Sequence, residues 1–166
     1  MAFMGERNKV TEAIILSLLE SGENNRKVCA VSPEKGIFYS TLYGGGKSRL
    51  KSLVQPFYCG KMWIYEDEAK KTIKLSDFDV TNPHISLRSS LYKIWAANLA
   101  CEIVLKTKCA GDDKSAFTLL SAFLDGIDAV EENEARLGTL RFLWRYLGLL
   151  GIQPETHCCV QCTKEI

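Results

Sequence analysis

The hydrophobic periodicity of the 166-residue chain changes near its middle. In the first half, short apolar runs rich in β-branched residues, such as Ala13–Leu19 and Gly36–Tyr43, are separated by turn signals such as Ser32-Pro33-Glu34-Lys35. In the second half, apolar residues recur at the spacing of a helix, about 3.6 residues. One half therefore predicts strands and the other helices, which excludes an all-α or an all-β chain and indicates the α+β class.

The first 80 residues predict a small antiparallel β-barrel. A turn with Pro33 at its second position and the Gly44-Gly45-Gly46 run separate strand-like segments, and Lys47–Lys51 is expected to be a loop or one helical turn. Five short strands with such turns are typical of a barrel. The expected strands are Ala13–Leu19, Arg26–Val31, Gly36–Tyr43, Pro56–Tyr65 and Thr72–Leu75. Alternation along the fourth strand puts Tyr58, Met62 and Ile64 on one face and Trp63 and Tyr65 on the other. We expect Trp63 to lie in the core, and the alternative, that such aromatics stack bases, stays open.

Residues 81–166 predict an α-helical domain. Asn82 is a favourable N-cap and Pro83 a favourable first residue, so a first helix is expected from Pro83 to about Lys106, with His84 on its surface. Its expected apolar side comprises Ile85, Leu91, Ile94, Trp95, Leu99 and Ile103.

Two further helices are expected in this domain. The second begins after Asp112-Asp113 and ends near Gly126, and the third covers Glu132–Leu149. Their predicted core residues are Phe117, Leu120, Phe123 and Leu124, then Leu137, Leu140, Trp144, Leu147 and Leu150.

The formal net charge of +1 conceals an uneven distribution. Residues 1–75 carry 12 basic and 8 acidic side chains, whereas residues 76–166 carry 9 and 12. Residues 26–61 hold a single acid, Glu34, and seven bases: Arg26, Lys27, Lys35, Lys47, Arg49, Lys51 and Lys61. A local positive field of this kind attracts polyanions such as nucleic acids. A solvated basic surface without a ligand is the alternative.

The seven cysteines indicate a reducing compartment. An odd count without a secretory signal favours free thiols over a disulfide framework, and hence a cytoplasmic location. We expect Cys29, Cys59 and Cys101 to be small core residues. No apolar run approaches the length of a membrane span, so no membrane association is expected.

The sequence gives little indication of catalysis. Gly46-Lys47-Ser48 resembles part of a phosphate-binding loop, but Thr41 stands where the first glycine of that motif belongs. Neither His84 nor His157 has a nucleophile or carboxylate at a suggestive spacing. We therefore expect a binding protein and not an enzyme.

Cys159 and Cys162 have the spacing of half a tetrahedral zinc site. The sequence ends four residues after Cys162, and a second ligand pair is not apparent. We therefore regard zinc as a candidate cofactor with an incomplete site. The alternative, that both are exposed tail cysteines, remains open.

Several motifs, taken in order, resemble the RecO family of bacterial recombination mediators. Leu147–Pro154 also resembles the family's segment ahead of its Cys-x-x-Cys motif. The other matching segments are Glu12-Ala13-Ile14-Ile15-Leu16, Lys35-Gly36, Lys47-Ser48-Arg49-Leu50 and Leu53-Val54-Gln55-Pro56-Phe57. Family members usually extend further, with the second half of the zinc site, so the chain is expected to be short at its C-terminus.

The resemblance implies a function in DNA repair and homologous recombination. The barrel would be an OB-fold that binds single- and double-stranded DNA and anneals complementary strands. With RecR, the protein would help to load RecA onto DNA coated by single-stranded-DNA-binding protein (SSB). The helical domain would receive the acidic, apolar C-terminal tail of SSB, in the bacterial cytoplasm at the nucleoid. The alternative is an interaction scaffold that binds the SSB tail and has little DNA binding of its own.

Overall fold

The computed structural model describes residues 8–22, 24–44, 49–67, 69–158, 162, 164 and 165. Within them, a closed five-stranded barrel is followed by a region of helices. The α+β class and the OB-fold-like arrangement expected from the sequence are therefore confirmed. The Cys-x-x-Cys segment follows the last helix.

The barrel closes in the order β1-β2-β3-β5-β4. The strands are β1 (Asn8–Ser21), β2 (Asn25–Ser32), β3 (Gly36–Leu42), β4 (Cys59–Asp67) and β5 (Thr72–Asn82). The long β1 pairs with both β2 and β4, and these neighbours are antiparallel. The contact between β3 and β5, at Thr41 and Lys74, is parallel. The expectation of a fully antiparallel barrel is therefore wrong at this one seam, where the two strands come from separate hairpins.

Apolar side chains fill the interior of the barrel. Its buried residues are Ala13, Ile15, Val28, Ala30, Phe38, Leu42, Val54, Met62, Ile64, Leu75 and Phe78. The short helix α1 (Arg49–Leu53) packs Leu50 against this cluster. Gly60 lies where β4 and β5 approach closely, because a Cβ there would come within 2.1 Å of the Asp79 carbonyl oxygen.

The expectation that Trp63 belongs to the core is wrong. The side chains of Met62 and Ile64 point into the barrel, so alternation along β4 directs Trp63 outward, where it is half-buried. It lines a cleft together with Arg49, Asp77 and other residues of α1 and β5.

Three long helices follow β5: α2 (Leu91–Lys106), α3 (Asp113–Ala129) and α4 (Glu132–Leu149). The bounds of α4 match the sequence expectation, and α3 extends three residues past Gly126. The first helix begins later than expected, because β5 continues to Asn82 and a short 3₁₀ turn occupies Ile85–Ser89. Ser90 is the N-cap of α2, since its Oγ accepts a hydrogen bond from the Lys93 amide.

The apolar side of α2 was predicted wrongly at several positions. Leu91, Trp95 and the preceding Ile85 are 85%, 56% and 65% exposed. The buried side is made of smaller residues: Ala96, Ala97, Ala100, Cys101 and Val104. Small side chains let the helix approach its neighbours closely. Among the residues expected on the apolar side, Ile103 does pack against this core, and Ile94 and Leu99 are half-buried.

The buried side of α4 was predicted only in part, since Leu150 packs against the core as expected but other residues do not. Leu137, Leu140 and Trp144, expected in the core, are exposed. The buried residues of α4 are instead Ala135, Thr139, Phe142 and Tyr146. On α3, by contrast, Leu120, Phe123 and Leu124 are buried as predicted.

The helices pack against the outer surface of β1 and β2 and form one core with it. From the barrel, Ile14, Leu16 and Val31 join this core. Cys29, Cys59 and Cys101 are also buried in it, as expected. Burial, together with the nearby Asp125 carboxylate, raises the pKa of Cys59 to about 12, so this thiol is a structural apolar group and remains protonated.

His84 is a buried link between barrel and helices and is not the surface residue that the sequence suggested. Its side chain is fully buried, and its backbone has a left-handed φ of 42°. Nδ1 donates to the carbonyl oxygen of Phe57 at 2.7 Å, and Nε2 lies 2.8 Å from Oδ1 of Asp125 on α3. The imidazole therefore bridges the entry to β4 and α3, the second of the three long helices.

We predict that His84→Ala lowers the free energy of unfolding by about 3 kcal/mol, because it leaves a cavity and a buried carbonyl without its donor. Urea denaturation measures the change. The exposed second histidine provides the control, since His157→Ala should change the stability by less than about 0.5 kcal/mol. Equal stability of the His84→Ala variant and the wild type would contradict the bridging role.

Candidate nucleic-acid interface

One row of residues crosses all five strands on the outside of the barrel. In this row each residue is the Cα partner of the next across neighbouring strands. In order, the row consists of Leu19, Lys27, Thr41, Lys74, Tyr65 and Asn8. It contains two lysines and no acidic residue.

Both lysines of the row lie over tyrosine rings. Nζ of Lys27 is 4.7 Å from the ring centroid of Tyr39. Nζ of Lys74 is 5.5 Å from the ring centroid of Tyr43 and 5.9 Å from that of Tyr65. We call these five residues the lysine–tyrosine strip.

The alternation of β3 explains why the tyrosines face outward. Phe38, Ser40 and Leu42 are buried in the barrel, so Tyr39 and the position after the strand, Tyr43, point to solvent. Tyr39 is 44% exposed and Tyr43 is 53% exposed. A cation–π contact at an exposed site is worth only about 0.5–1 kcal/mol. Because these contacts are weak, a ligand can displace them and bind both the tyrosine rings and the lysine ammonium groups.

One of the bases predicted from the sequence, Arg26, lies at the end of this strip. It is the Cα partner of Leu42, next to Tyr43, and its Nη1 donates to the carbonyl oxygen of Lys51 at 3.4 Å. Arg49 is exposed at the start of α1 but lines the cleft that contains Asp77 and Asp79, and Lys51 is half-buried. Arg26 therefore adds positive charge at the end of β3.

Lys35 and Lys61 are set apart from the strip by acidic partners. Lys35 forms an ion pair with Glu66, which also binds Lys9 at 2.6 Å. Hydrogen bonds from these two ammonium groups lower the pKa of Glu66. Lys61 stands between Glu12 on β1 and Asp79 on β5. Both lysines are therefore partly neutralised and are poor candidates for phosphate contacts.

The structure does not test Lys47, because residues 45–48 lie outside the described residues. Lys74, Tyr39 and Tyr43 were not among the residues expected to bind a nucleic acid, and Tyr65 was considered only as one of the aromatics of the fourth strand. The alternation of inward and outward positions along Gly36–Tyr43 could have indicated that Tyr39 and Tyr43 face solvent. Lys74 has no local signal, since it joins the strip only through the pairing of β3 with β5.

The described residues do not assemble a zinc site. Cys159 lies outside them, and Cys162 is exposed. The thiol of Cys158 donates a hydrogen bond to Glu155 at 3.2 Å, which raises the pKa of this thiol. No three His, Cys, Asp or Glu side chains come together as metal ligands in the described part of the chain.

A groove between α3 and α4 is a second candidate site. It has a volume of about 450 Å³ and a largely apolar lining that includes Phe123, Leu137 and Phe142. Arg141 and Arg145 are exposed and line it together with one acid, Glu134, so the charged lining is net positive. This combination suits a peptide that carries both apolar and acidic side chains.

None of the helices in the described ranges is both long enough and apolar enough to cross a membrane.

A family model and individual curated proteins were both compared with this chain, and both kinds of match are to RecO proteins. The family model described as Recombination protein O C terminal matches residues 88–166. A DNA repair protein RecO from Syntrophobacter fumaroxidans is 26% identical over 94% of this chain and 62% of its own length. Its counterpart from Myxococcus xanthus is 27% identical over 91% and 62%, and that from Synechococcus elongatus 27% over 92% and 58%.

The resemblance expected from the ordered motifs is thereby confirmed for nearly the whole chain. The chain spans about three fifths of the length of the curated relatives it matches.

Proposed function

We propose that this chain, a relative of the RecO proteins by sequence, is a DNA-binding mediator of DNA repair and recombination. The observation that carries the proposal is the lysine–tyrosine strip, in which two lysines share a row that crosses the barrel without an acidic residue. We assign DNA binding to residues 1–80 and partner binding to residues 81–166. The role is one of binding, in the bacterial cytoplasm at the nucleoid, and not of catalysis.

The spacing of the two lysines suits a nucleic-acid backbone. Lys27 and Lys74 are separated by two strand spacings, about 10 Å. At about 3.4 Å of rise per phosphate along a strand, this distance covers roughly three nucleotides. Such contacts hold the backbone and do not select a sequence, as a protein that acts on any DNA requires.

We predict that Lys27→Gln combined with Lys74→Gln weakens binding to DNA of any sequence. Since two phosphate contacts are lost, the slope of log affinity against log salt becomes shallower by about 1.4 for a single strand. Fluorescence anisotropy with a labelled oligonucleotide at several salt concentrations measures both quantities.

Lys61→Gln is the matched control, because it removes the same charge from a site flanked by Glu12 and Asp79. It should leave affinity and slope close to those of the wild type. A double variant with an unchanged slope, or a Lys61 variant with the same loss, would contradict the placement of DNA on the strip.

We further propose that the groove between α3 and α4 receives the C-terminal tail of SSB. The resemblance implies such a partner, and its acidic, apolar character complements an apolar groove whose charged lining is net positive. Gly138 brings the two helices close together, since a Cβ there would lie 3.3 Å from Ile127.

Charge reversal tests this groove. Arg141→Glu with Arg145→Glu should weaken binding of an SSB-tail peptide at least about tenfold, because repulsion replaces attraction along its lining. Isothermal titration calorimetry measures the affinity. Lys106→Glu, a reversal at an exposed position on α2, should have little effect, and a similar loss there would point to general electrostatics instead.

A site for DNA and a site for SSB on separate parts of one chain suit the mediator role. The protein would hold SSB by its tail, promote annealing and, with RecR, help RecA to reach the single strand. The α3–α4 groove also favours the alternative of an interaction scaffold. A wild-type chain that captures the SSB-tail peptide but binds no oligonucleotide at low salt would establish that alternative.

A further inference from the structure

We infer that Tyr39 and Tyr43 are stacking platforms for unpaired bases and make the barrel selective for single-stranded over double-stranded DNA. The inference rests on the proposed function, since it adds a base contact to a surface that binds phosphates. Tyr65, at the other side of Lys74, flanks the same platform.

The two tyrosines are placed for a ligand and not for the core. Neither belongs to the apolar clusters that fill the barrel or join it to the helices. About half of each side chain is exposed, and a lysine of the row lies over each ring. The two tyrosines are four positions apart in extended chain, about 13 Å, which is within the span of a few nucleotides.

Tyr39 is held in a neutral and fixed form. Electrostatic interaction and a hydrogen bond with the side chain of Cys29 raise the pKa of Tyr39. The ammonium group of Lys27 lies against the ring. The phenol therefore carries no charge that would repel a phosphate, and the ring face is kept ready for contact.

Binding of a base replaces the lysine–tyrosine contact by two new contacts. When a base stacks on a tyrosine, the displaced ammonium group needs another partner, and the phosphate of the same nucleotide supplies one. The weak cation–π contact of the unbound protein is thus replaced by a stacking contact and an ion pair. Stacking accepts any base, because every base offers a π-face.

The selectivity follows from which groups a duplex exposes. In a duplex the faces of the bases are covered by their neighbours, so only the phosphates can reach the strip. A single strand can offer phosphates and base faces together. The lysines therefore contribute to binding of both forms, whereas the tyrosines contribute to the single strand alone.

The test compares three probes on the full chain by anisotropy: a single strand, the duplex of the same sequence, and a strand of the same length made of abasic sites. Tyr39→Ala with Tyr43→Ala should weaken single-strand binding about tenfold or more. It should leave duplex affinity and the salt slope nearly unchanged. Tyr39→Phe with Tyr43→Phe keeps both rings and should bind like the wild type.

The abasic strand supplies a measurement that does not depend on any variant. The wild type should bind it about as weakly as the double-alanine variant binds the normal strand. Equal binding of abasic and normal strands, or an equal loss of single-strand and duplex binding in the alanine variant, would overturn the stacking role while leaving the proposed function standing. A wild type that binds none of the probes would overturn the proposed function itself.

Discussion

The pairing of β3 with β5 is the constraint on which the rest of the barrel surface depends. It is the parallel seam of an otherwise antiparallel barrel, and it rests on Thr41 beside Lys74. Without it, β3 and β5 would be two open sheet edges, and Lys74 on β5 would be separated from Tyr43 at the end of β3. Closure removes both edges, which protects the sheet from pairing with other chains. It also brings the two cations into one row.

The barrel has two outer faces with different tasks. On β1 and β2, Ile14, Leu16 and Val31 are covered by the helices and form a common core with them. His84 adds a polar bridge from this covered side to α3. The lysine–tyrosine strip begins at Tyr39, which shares a cleft with Leu105 and Asp113 of the helical region, and continues past the end of β3 to Tyr43. The shared core therefore connects the groove between α3 and α4 with the lysine–tyrosine strip in one folded unit. A protein that bound SSB and DNA together would require such a connection.

Local patterns predicted the elements better than their partners. The alternation of β3 and the N-terminal signals of α4 are short-range features, so their positions followed from the sequence. The buried faces of α2 and α4 did not, because alanines that pack closely are outweighed in any count of apolar side chains by exposed residues such as Leu91 and Leu137. The candidate site was predicted only in part, because one of its residues is brought in by a long-range pairing. Arg26 and Lys27 stand in one basic run, but Lys74 joins them only through a long-range pairing.

The central claim is that nucleic acid lies across the closed seam of the barrel, and amide chemical shifts in a titration with a single-stranded oligonucleotide test it most directly. The account predicts that the largest changes fall on Lys27, Tyr39, Thr41 and Lys74, with little change around Lys61 and along α4. Changes concentrated at Lys61 and Asp79, or along the groove between α3 and α4, with the seam undisturbed, would contradict it.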